Sequence, residues 1–285
     1  MRIANERGVI TAVAMDQRRS LRGMLARAAG TTPDAIADDR LVEFKSAVSE
    51  VLTPHASAIL VDTEYGLDAA QRRAPNCGLL LTYESDGFEN PRPHRMLLLN
   101  PVLSVRRLRE LGADAIKVLL SYNPEGEPAA NDQKHAAIER IGAECEAVGL
   151  PFLLEPVVYD ASPERKPAMV VRTMAQFTKP EYRVSVLKVE FPISSHSKSL
   201  DWYKRADDAA AGKPYIYLSA GVSMAEFLAS LDLAREAGAH FSGILCGRAV
   251  WQDGIPEFVR GGPRAFKDWL SGQGVENLRQ ICQRL

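Results

Sequence analysis

One pattern narrows the possible folds of this chain more than any other feature. From end to end, short apolar runs alternate with amphipathic stretches. Runs of about five residues suit strands buried on both faces, and the intervening 3.6-residue periodicity suits helices that cover them. Strands alternating with helices imply βα units and a parallel sheet. Eight strands are expected, at Thr11–Asp16, Ala58–Asp62, Gly78–Thr82, Ala115–Leu120, Pro151–Pro156, Ser185–Phe191, Tyr215–Ser219 and Ser242–Gly247. Helices are expected between them, among others over Asp39–Leu52, Val102–Leu111, Asp132–Val148, Pro167–Phe177, Met224–Ala237 and Pro263–Gly272. Gly112, Gly149 and Gly238 stand just past three of these, where a helix ends on a left-handed residue. The third unit is the weakest, because its helix is short and Asp86–Arg95 reads as loop.

Eight parallel strands either close into a barrel or spread into a doubly wound sheet. The open dinucleotide-binding sheet should carry GxGxxG after its first strand, and Met15-Asp16-Gln17-Arg18-Arg19 offers nothing similar. Residues 1–285 are therefore read as one (β/α)₈ (TIM) barrel domain, a fold of roughly 250 residues. A formal net charge of −1 argues against broad nucleic-acid binding, which usually needs a basic face. No apolar run approaches the ~20 residues that span a bilayer, and the first residues lack the apolar core of a secretory signal. Cys77, Cys145, Cys246 and Cys282 show no ligand spacing and are read as reduced thiols. A cytoplasmic protein is expected, without nucleic-acid or membrane partners and with homo-oligomerisation left open.

Function shows where charge interrupts the apolar strands. Asp16 and Asp62 end strands 1 and 2, Lys117 lies inside strand 4, and Glu155 ends strand 5. Lys188 and Glu190 lie in strand 6, and Ser219 ends strand 7. Charged groups near the C-terminal ends of barrel strands face the catalytic mouth. Each has a plainer reading: Asp62 as a helix cap or loop anchor, a strand lysine as one that reaches the rim beside a carboxylate. Two buried lysines weigh toward chemistry.

Alternation along the strands puts Lys188 and Glu190 on the interior face, with Leu187, Val189 and Phe191 toward the helices. The same alternation turns Lys117 inward, in a layer drawn from even-numbered strands. A free lysine has a pKa near ~10.4 and attacks a ketone only when unprotonated. Burial and a neighbouring ammonium would both lower that value, so that one of the two amines can form an imine. The imine nitrogen withdraws electrons and weakens the bond between the third and fourth substrate carbons. Glu155, on the strand between the two lysines, is placed to move the protons.

An anion site is expected from Ser219-Ala220-Gly221 after strand 7 and Gly247-Arg248 after strand 8. Small residues let backbone N–H groups approach a phosphate, and these loops bind phosphate in many barrels. Asp16-Gln17-Arg18 after strand 1 suits substrate hydroxyls and a second anion, with Arg19 an equal alternative for the latter.

These segments resemble the class I tagatose-1,6-bisphosphate aldolases and, more distantly, sulfofructose-phosphate aldolases. The match runs through Ala14-Met15-Asp16-Gln17-Arg18, Ser57-Ala58-Ile59-Leu60-Val61-Asp62, Glu64-Tyr65-Gly66-Leu67 and Gly112-Ala113-Asp114-Ala115-Ile116-Lys117. It continues through Ile138-Glu139-Arg140-Ile141-Gly142, Val186-Leu187-Lys188-Val189-Glu190, Leu218-Ser219-Ala220-Gly221-Val222-Ser223 and Cys246-Gly247-Arg248-Ala249. The resemblance implies a Schiff base on Lys188, with Glu155 as acid and base. It implies substrate contacts from Asp16, Gln17, Arg18, Lys117, Ser219, Gly247 and Arg248. The implied products are dihydroxyacetone phosphate and glyceraldehyde 3-phosphate, with no metal or cofactor. Phe191 to Tyr215 is shorter than in the bisphosphate aldolases, which bears on the distal group: phosphate or sulfonate.

Two rivals differ in kind. A metal-dependent aldolase wants clustered histidines, whereas His55, His94, His135, His196 and His240 are dispersed. A sugar-phosphate sensor binds without turnover and has no use for a second buried amine.

Overall fold

The computed structural model describes residues 2–85, 92–194 and 199–285. Eight strands form a closed parallel barrel in chain order. They are β1 (Ile10–Met15), β2 (Ala58–Val61), β3 (Gly78–Thr82), β4 (Ala115–Tyr122), β5 (Phe152–Val158), β6 (Val186–Val189), β7 (Tyr215–Tyr217) and β8 (Gly243–Cys246). Closure is direct: β8 pairs with β1 from Ile10↔Gly243 to Val13↔Cys246. The helices are α1 (Arg19–Ala29), α2 (Asp38–Leu52), α3 (Leu67–Gln71), α4 (Val105–Glu110), α5 (Pro128–Val148) and α6 (Lys166–Phe177). They continue with α7 (Asp201–Ala210), α8 (Met224–Glu236), α9 (Arg248–Trp251), α10 (Ile255–Trp269) and α11 (Val275–Cys282).

Strand alternation divides the apolar residues into two sets. Ala12, Ala14, Ala58, Leu60, Leu80, Ala115, Leu153, Val186, Ile216 and Leu245 form one buried cluster inside the barrel. Val13, Met15, Ile59, Leu79, Leu81, Ile116, Val118, Leu187 and Val189 pack outward on the helices. Ile3 joins the interior cluster, and its carbonyl accepts a hydrogen bond from Ser57 Oγ at 2.8 Å. The N-terminal segment thus plugs the barrel end away from the strand C-termini, the end that serves stability. Chemistry is left to the other end.

Gly112, Gly149 and Gly238 have φ of 93°, 75° and 70°, as expected of residues just past a helix. Two segments depart from expectation. The helix expected at Pro263 begins at Ile255 and kinks at Gly262, whose φ of 69° and ψ of −165° break it before the proline. β6 ends at Val189, so Glu190 lies beyond the strand.

Candidate active site

The inward-facing stripes turn from apolar to charged as they approach the C-terminal mouth. On β1 the stripe Ala12, Ala14 continues into Asp16, and on β4 Ala115 is followed by Lys117. On β5 Leu153 is followed by Glu155, and on β6 Val186 is followed by Lys188. Leu119, Val157 and Leu218 form a small apolar collar beside this charged layer.

Lys117 is the hub. Its Nζ donates to Asp16 Oδ2 at 2.8 Å and to Glu84 Oε1 at 2.7 Å. It also lies 2.8 Å from Glu155 Oε2, an ion-pair contact outside hydrogen-bond alignment. The other oxygen of that carboxylate, Oε1, is 2.8 Å from Lys188 Nζ. Glu155 therefore bridges the two lysines, and all five side chains of the cluster are buried or nearly so. Burial by itself disfavours the Lys117 ammonium, but Asp16, Glu155 and Glu84 override it and hold the pKa well above the usual lysine value. Asp16 is the reciprocal case: burial would raise its carboxyl, and Lys117 with Lys188 pulls it far below the usual range. Burial wins at Glu84, whose carboxyl is raised despite Lys117 and Arg18.

Direct repulsion between Lys117 and Lys188, expected from the sequence, is not what the structure holds. The two ammonium groups do not face each other bare, because Glu155 stands between them. The carboxylate touches both lysines and screens one from the other. Three buried acceptors, Gln17 Oε1, Glu84 Oε2 and Glu155 Oε2, find no hydrogen-bond donor among the described residues. Acceptors left so are costly unless something with hydroxyls or bound water meets them.

The anion segment meets this cluster in one cleft. Asp16, Gln17, Glu155 and Lys188 line it together with Ser219, Ala220, Gly247 and Arg248, over Ala14, Leu218 and Leu245. Gly221 has φ of 81°, and a Cβ there would sit 2.4 Å from Arg248 Cζ. Only glycine lets the guanidinium lie against this loop. A Cβ on Gly247 would meet the Ala14 carbonyl oxygen at 2.4 Å. Ser223 caps α8, its Oγ accepting from the Glu226 N–H at 3.2 Å, so the loop feeds directly into a helix N-terminus. Arg18 donates through Nη2 to the Glu84 carbonyl at 3.1 Å, which fixes it at the mouth beside β3, whereas Arg19 is exposed.

Some expected residues lie elsewhere. Asp62 is a loop anchor: Oδ1 accepts from the N–H groups of Glu64 at 3.0 Å and Tyr65 at 2.7 Å, and Oδ2 pairs with buried Lys45. Glu190 does not join Lys188 but accepts from the Val158 N–H at 2.9 Å and pairs with Lys166 at 2.6 Å. His135 meets Tyr122 Oη at 2.9 Å, and exposed His240 lies by Asp207, while His55 and His94 sit in separate short 3-10 turns. His196 falls outside the described residues.

Two residues escaped the sequence reading. Glu84 continues the inward stripe Leu80, Thr82 by one more two-residue step, past the expected end of the strand. Lys45 stands on the buried stripe of α2 with Leu41, Phe44, Val48 and Leu52, where helical spacing calls for an apolar residue. Its Nζ donates to the carbonyls of Met15 and Gln17, both at 2.8 Å, and so clamps the backbone on either side of Asp16.

Residues 10–253 match a family described as DeoC/LacD family aldolase. The chain belongs to that family. Among curated relatives, the Enterococcus faecalis tagatose 1,6-diphosphate aldolase 2 is 42% identical, covering 98% of this chain and 90% of its own. A Listeria monocytogenes tagatose 1,6-diphosphate aldolase is 40% identical, covering 100% and 89%. Among solved structures, a Plasmodium falciparum fructose-bisphosphate aldolase superposes with a TM-score of 0.72 at 13% identity, covering 98% and 92%. An archaeal fructose-1,6-bisphosphate aldolase, its catalytic Lys bound to a carbinolamine intermediate, gives a TM-score of 0.61 at 19% identity, covering 93% and 97%. These two likenesses establish a shared barrel; the family membership rests on the sequence. Among the described residues no helix is long and apolar enough to cross a membrane.

Proposed function

We propose that the chain is a class I aldolase, a carbon–carbon lyase that cleaves a ketose 1,6-bisphosphate, above all tagatose 1,6-bisphosphate, through a Schiff base on Lys188. One observation carries the assignment: the Glu155 carboxylate touches Lys188 Nζ with one oxygen and Lys117 Nζ with the other. Glu155 takes the proton that Lys188 must lose, and the neutral amine adds to the C2 carbonyl. Glu155 returns a proton to the carbinolamine hydroxyl, water leaves, and a cationic imine remains. The O4 proton passes to a carboxylate and the C3–C4 electron pair moves toward the imine nitrogen. Glyceraldehyde 3-phosphate departs and an enamine stays on the lysine. Protonation at C3 and hydrolysis free dihydroxyacetone phosphate and the amine.

Lys117 stays charged throughout and holds Glu155, Glu84 and Asp16 in place. Such fixed charges act without reorganising during the reaction. Ser219, Gly221, Gly247 and Arg248 take the phosphate nearest the ketone, with Gln17 and Asp16 on the hydroxyls. Arg18, fixed on the Glu84 carbonyl, is favoured over Arg19 for the distal anion. This chemistry needs neither metal nor cofactor.

Borohydride reduction during turnover tests the reading. The expected result is a covalent ketose-phosphate adduct on Lys188, lost together with cleavage in Lys188→Met, and activity that survives a chelator. An adduct on another residue, or turnover intact in Lys188→Met, removes Lys188 from the mechanism. Binding without any adduct favours the sensor. Relative rates on tagatose 1,6-bisphosphate, fructose 1,6-bisphosphate and 6-deoxy-6-sulfofructose 1-phosphate identify the substrate.

A further inference from the structure

A fourth buried lysine lies outside the catalytic cluster. Lys134 occupies the inward stripe of α5, in step with Ile138, Ile141 and Cys145, and its side chain is 0% exposed. Lys45 and Lys117 each meet a carboxylate. Lys134 has none within ion-pair distance among the described residues. Its Nζ instead donates to the His94 carbonyl at 2.6 Å and reaches Tyr159 Oη at 3.5 Å.

A second cation is held against the same group. The Arg95 guanidinium lies 4.7 Å from the centre of the Tyr159 ring, and Lys134 Nζ lies 5.0 Å from it. The ring face attracts each cation, but nothing in that arrangement cancels their mutual repulsion. Burial, with Arg95 beside it, brings the Lys134 pKa down to about 8. The backbone is bent to make the arrangement: His94, Arg95 and Asp160 have φ of 52°, 49° and 56°, a region that side-chain-bearing residues rarely adopt. Strain of this kind persists where surrounding contacts over-determine it, and such places cluster at ligand clamps.

Beside Lys134 opens a pocket of about 420 Å³, lined by Arg92, His94, Arg95, Asn123, Tyr159 and Asp160 among others. That volume suits a small metabolite. Among the described lining residues Arg92 and Arg95 are cations and Asp160 is the carboxylate, with Lys134 adjoining through Tyr159. The pocket stands on the loops that follow β3, β4 and β5, on the same barrel face as the catalytic mouth. In a closed ring of eight strands β4 lies across from β8, so this pocket stands across the barrel mouth from the loop that carries Arg248.

We propose that the Arg95–Lys134–Tyr159 pocket is a second phosphoryl-binding site, held by guanidinium groups that match a phosphate in fork geometry. The phosphoryl group belongs either to the far end of the cleaved ketose, in place of the Arg18 contact proposed above, or to a separate phosphorylated metabolite. The first source rests on the proposed function; the second does not.

The test compares wild type with Arg95→Gln and with Arg95→Lys, which keeps the charge, after thermal unfolding has shown that each is folded. For the substrate source, the ratio of KM for a ketose 1,6-bisphosphate to KM for the 1-monophosphate rises about tenfold or more in Arg95→Gln. Arg95→Lys recovers part of it. For the separate source that ratio holds, but calorimetric titration with inorganic phosphate loses one of two binding events in Arg95→Gln. If both the ratio and the phosphate titration match wild type, the site does not exist. Borohydride trapping on Lys188, run on the same samples, reports separately whether the aldolase chemistry itself stands.

Discussion

Replacing Lys117 with methionine keeps the side-chain length and removes the charge that Asp16, Glu84 and Glu155 share at 2.7 to 2.8 Å. At an effective dielectric near 20, each such contact is worth on the order of 6 kcal/mol of attraction. Most of this offsets the cost of burying the ions, and breaking a buried pair typically leaves a net loss of about 3–5 kcal/mol. At roughly 2 °C per kcal/mol for a chain of this size, the unfolding midpoint should fall by about 6–10 °C at neutral pH.

The pH dependence is the sharper readout. In the wild type the Asp16 carboxyl is depressed when folded, so its stabilisation is complete above the unfolded value near ~4 and is lost as pH falls through the folded one. Without the ammonium, burial raises Asp16 and raises Glu84 further. The folded variant then binds more protons than the unfolded chain, and its stability falls as pH rises. The gap between wild type and Lys117→Met should therefore widen between pH 5 and pH 8, as measured by urea or thermal unfolding. A second change, Glu84→Gln, should narrow the gap at pH 8 by removing one unpaired buried charge. A gap below about 1 kcal/mol, or one that does not vary with pH, would refute a charged hub at Lys117.

Two further outcomes follow from the loops around the site. Gly221→Ala adds a Cβ into the Arg248 guanidinium at a backbone angle that favours glycine, so KM for the phosphorylated ketose should rise about tenfold with a smaller change in kcat; steady-state kinetics showing an unchanged KM would take Arg248 out of the anion site. Lys45→Met should cost about 3–5 kcal/mol and lower kcat, because Met15 and Gln17 lose the donor that fixes Asp16 between them. Adding Asp62→Asn should return part of the stability but not the rate, and recovery of both together would show that Lys45 serves the fold alone.

Much of this was legible in the order of residues. Leu153 then Glu155, or Val186 then Lys188, names both a face and a charge on it, since strand side chains alternate strictly. All eight strands follow from runs that are apolar on both faces. Glu84 was missed because the inward stripe outlasts the strand that carries it, and nothing local marks where a stripe ends. Glu190 was misplaced for the same reason: past Val189 the chain leaves the ladder, and alternation no longer says where a side chain points. Lys45 and Lys134 were visible as lysines on apolar helix stripes, but spacing alone names no partner for them.

By itself, the sequence determined the barrel, its inward and outward faces, and the lysines and carboxylate at its mouth, because hydrophobic periodicity is a local property of the chain. Only the tertiary structure decided who meets whom. Asp16 and Lys117 stand 101 positions apart and touch because closing the ring folds their strand ends over one mouth. That Glu155 separates two lysines, rather than leaving them to repel, depends on distances of a few ångströms between strands. Coulomb interactions vary steeply over that range, and no spacing along the chain encodes it.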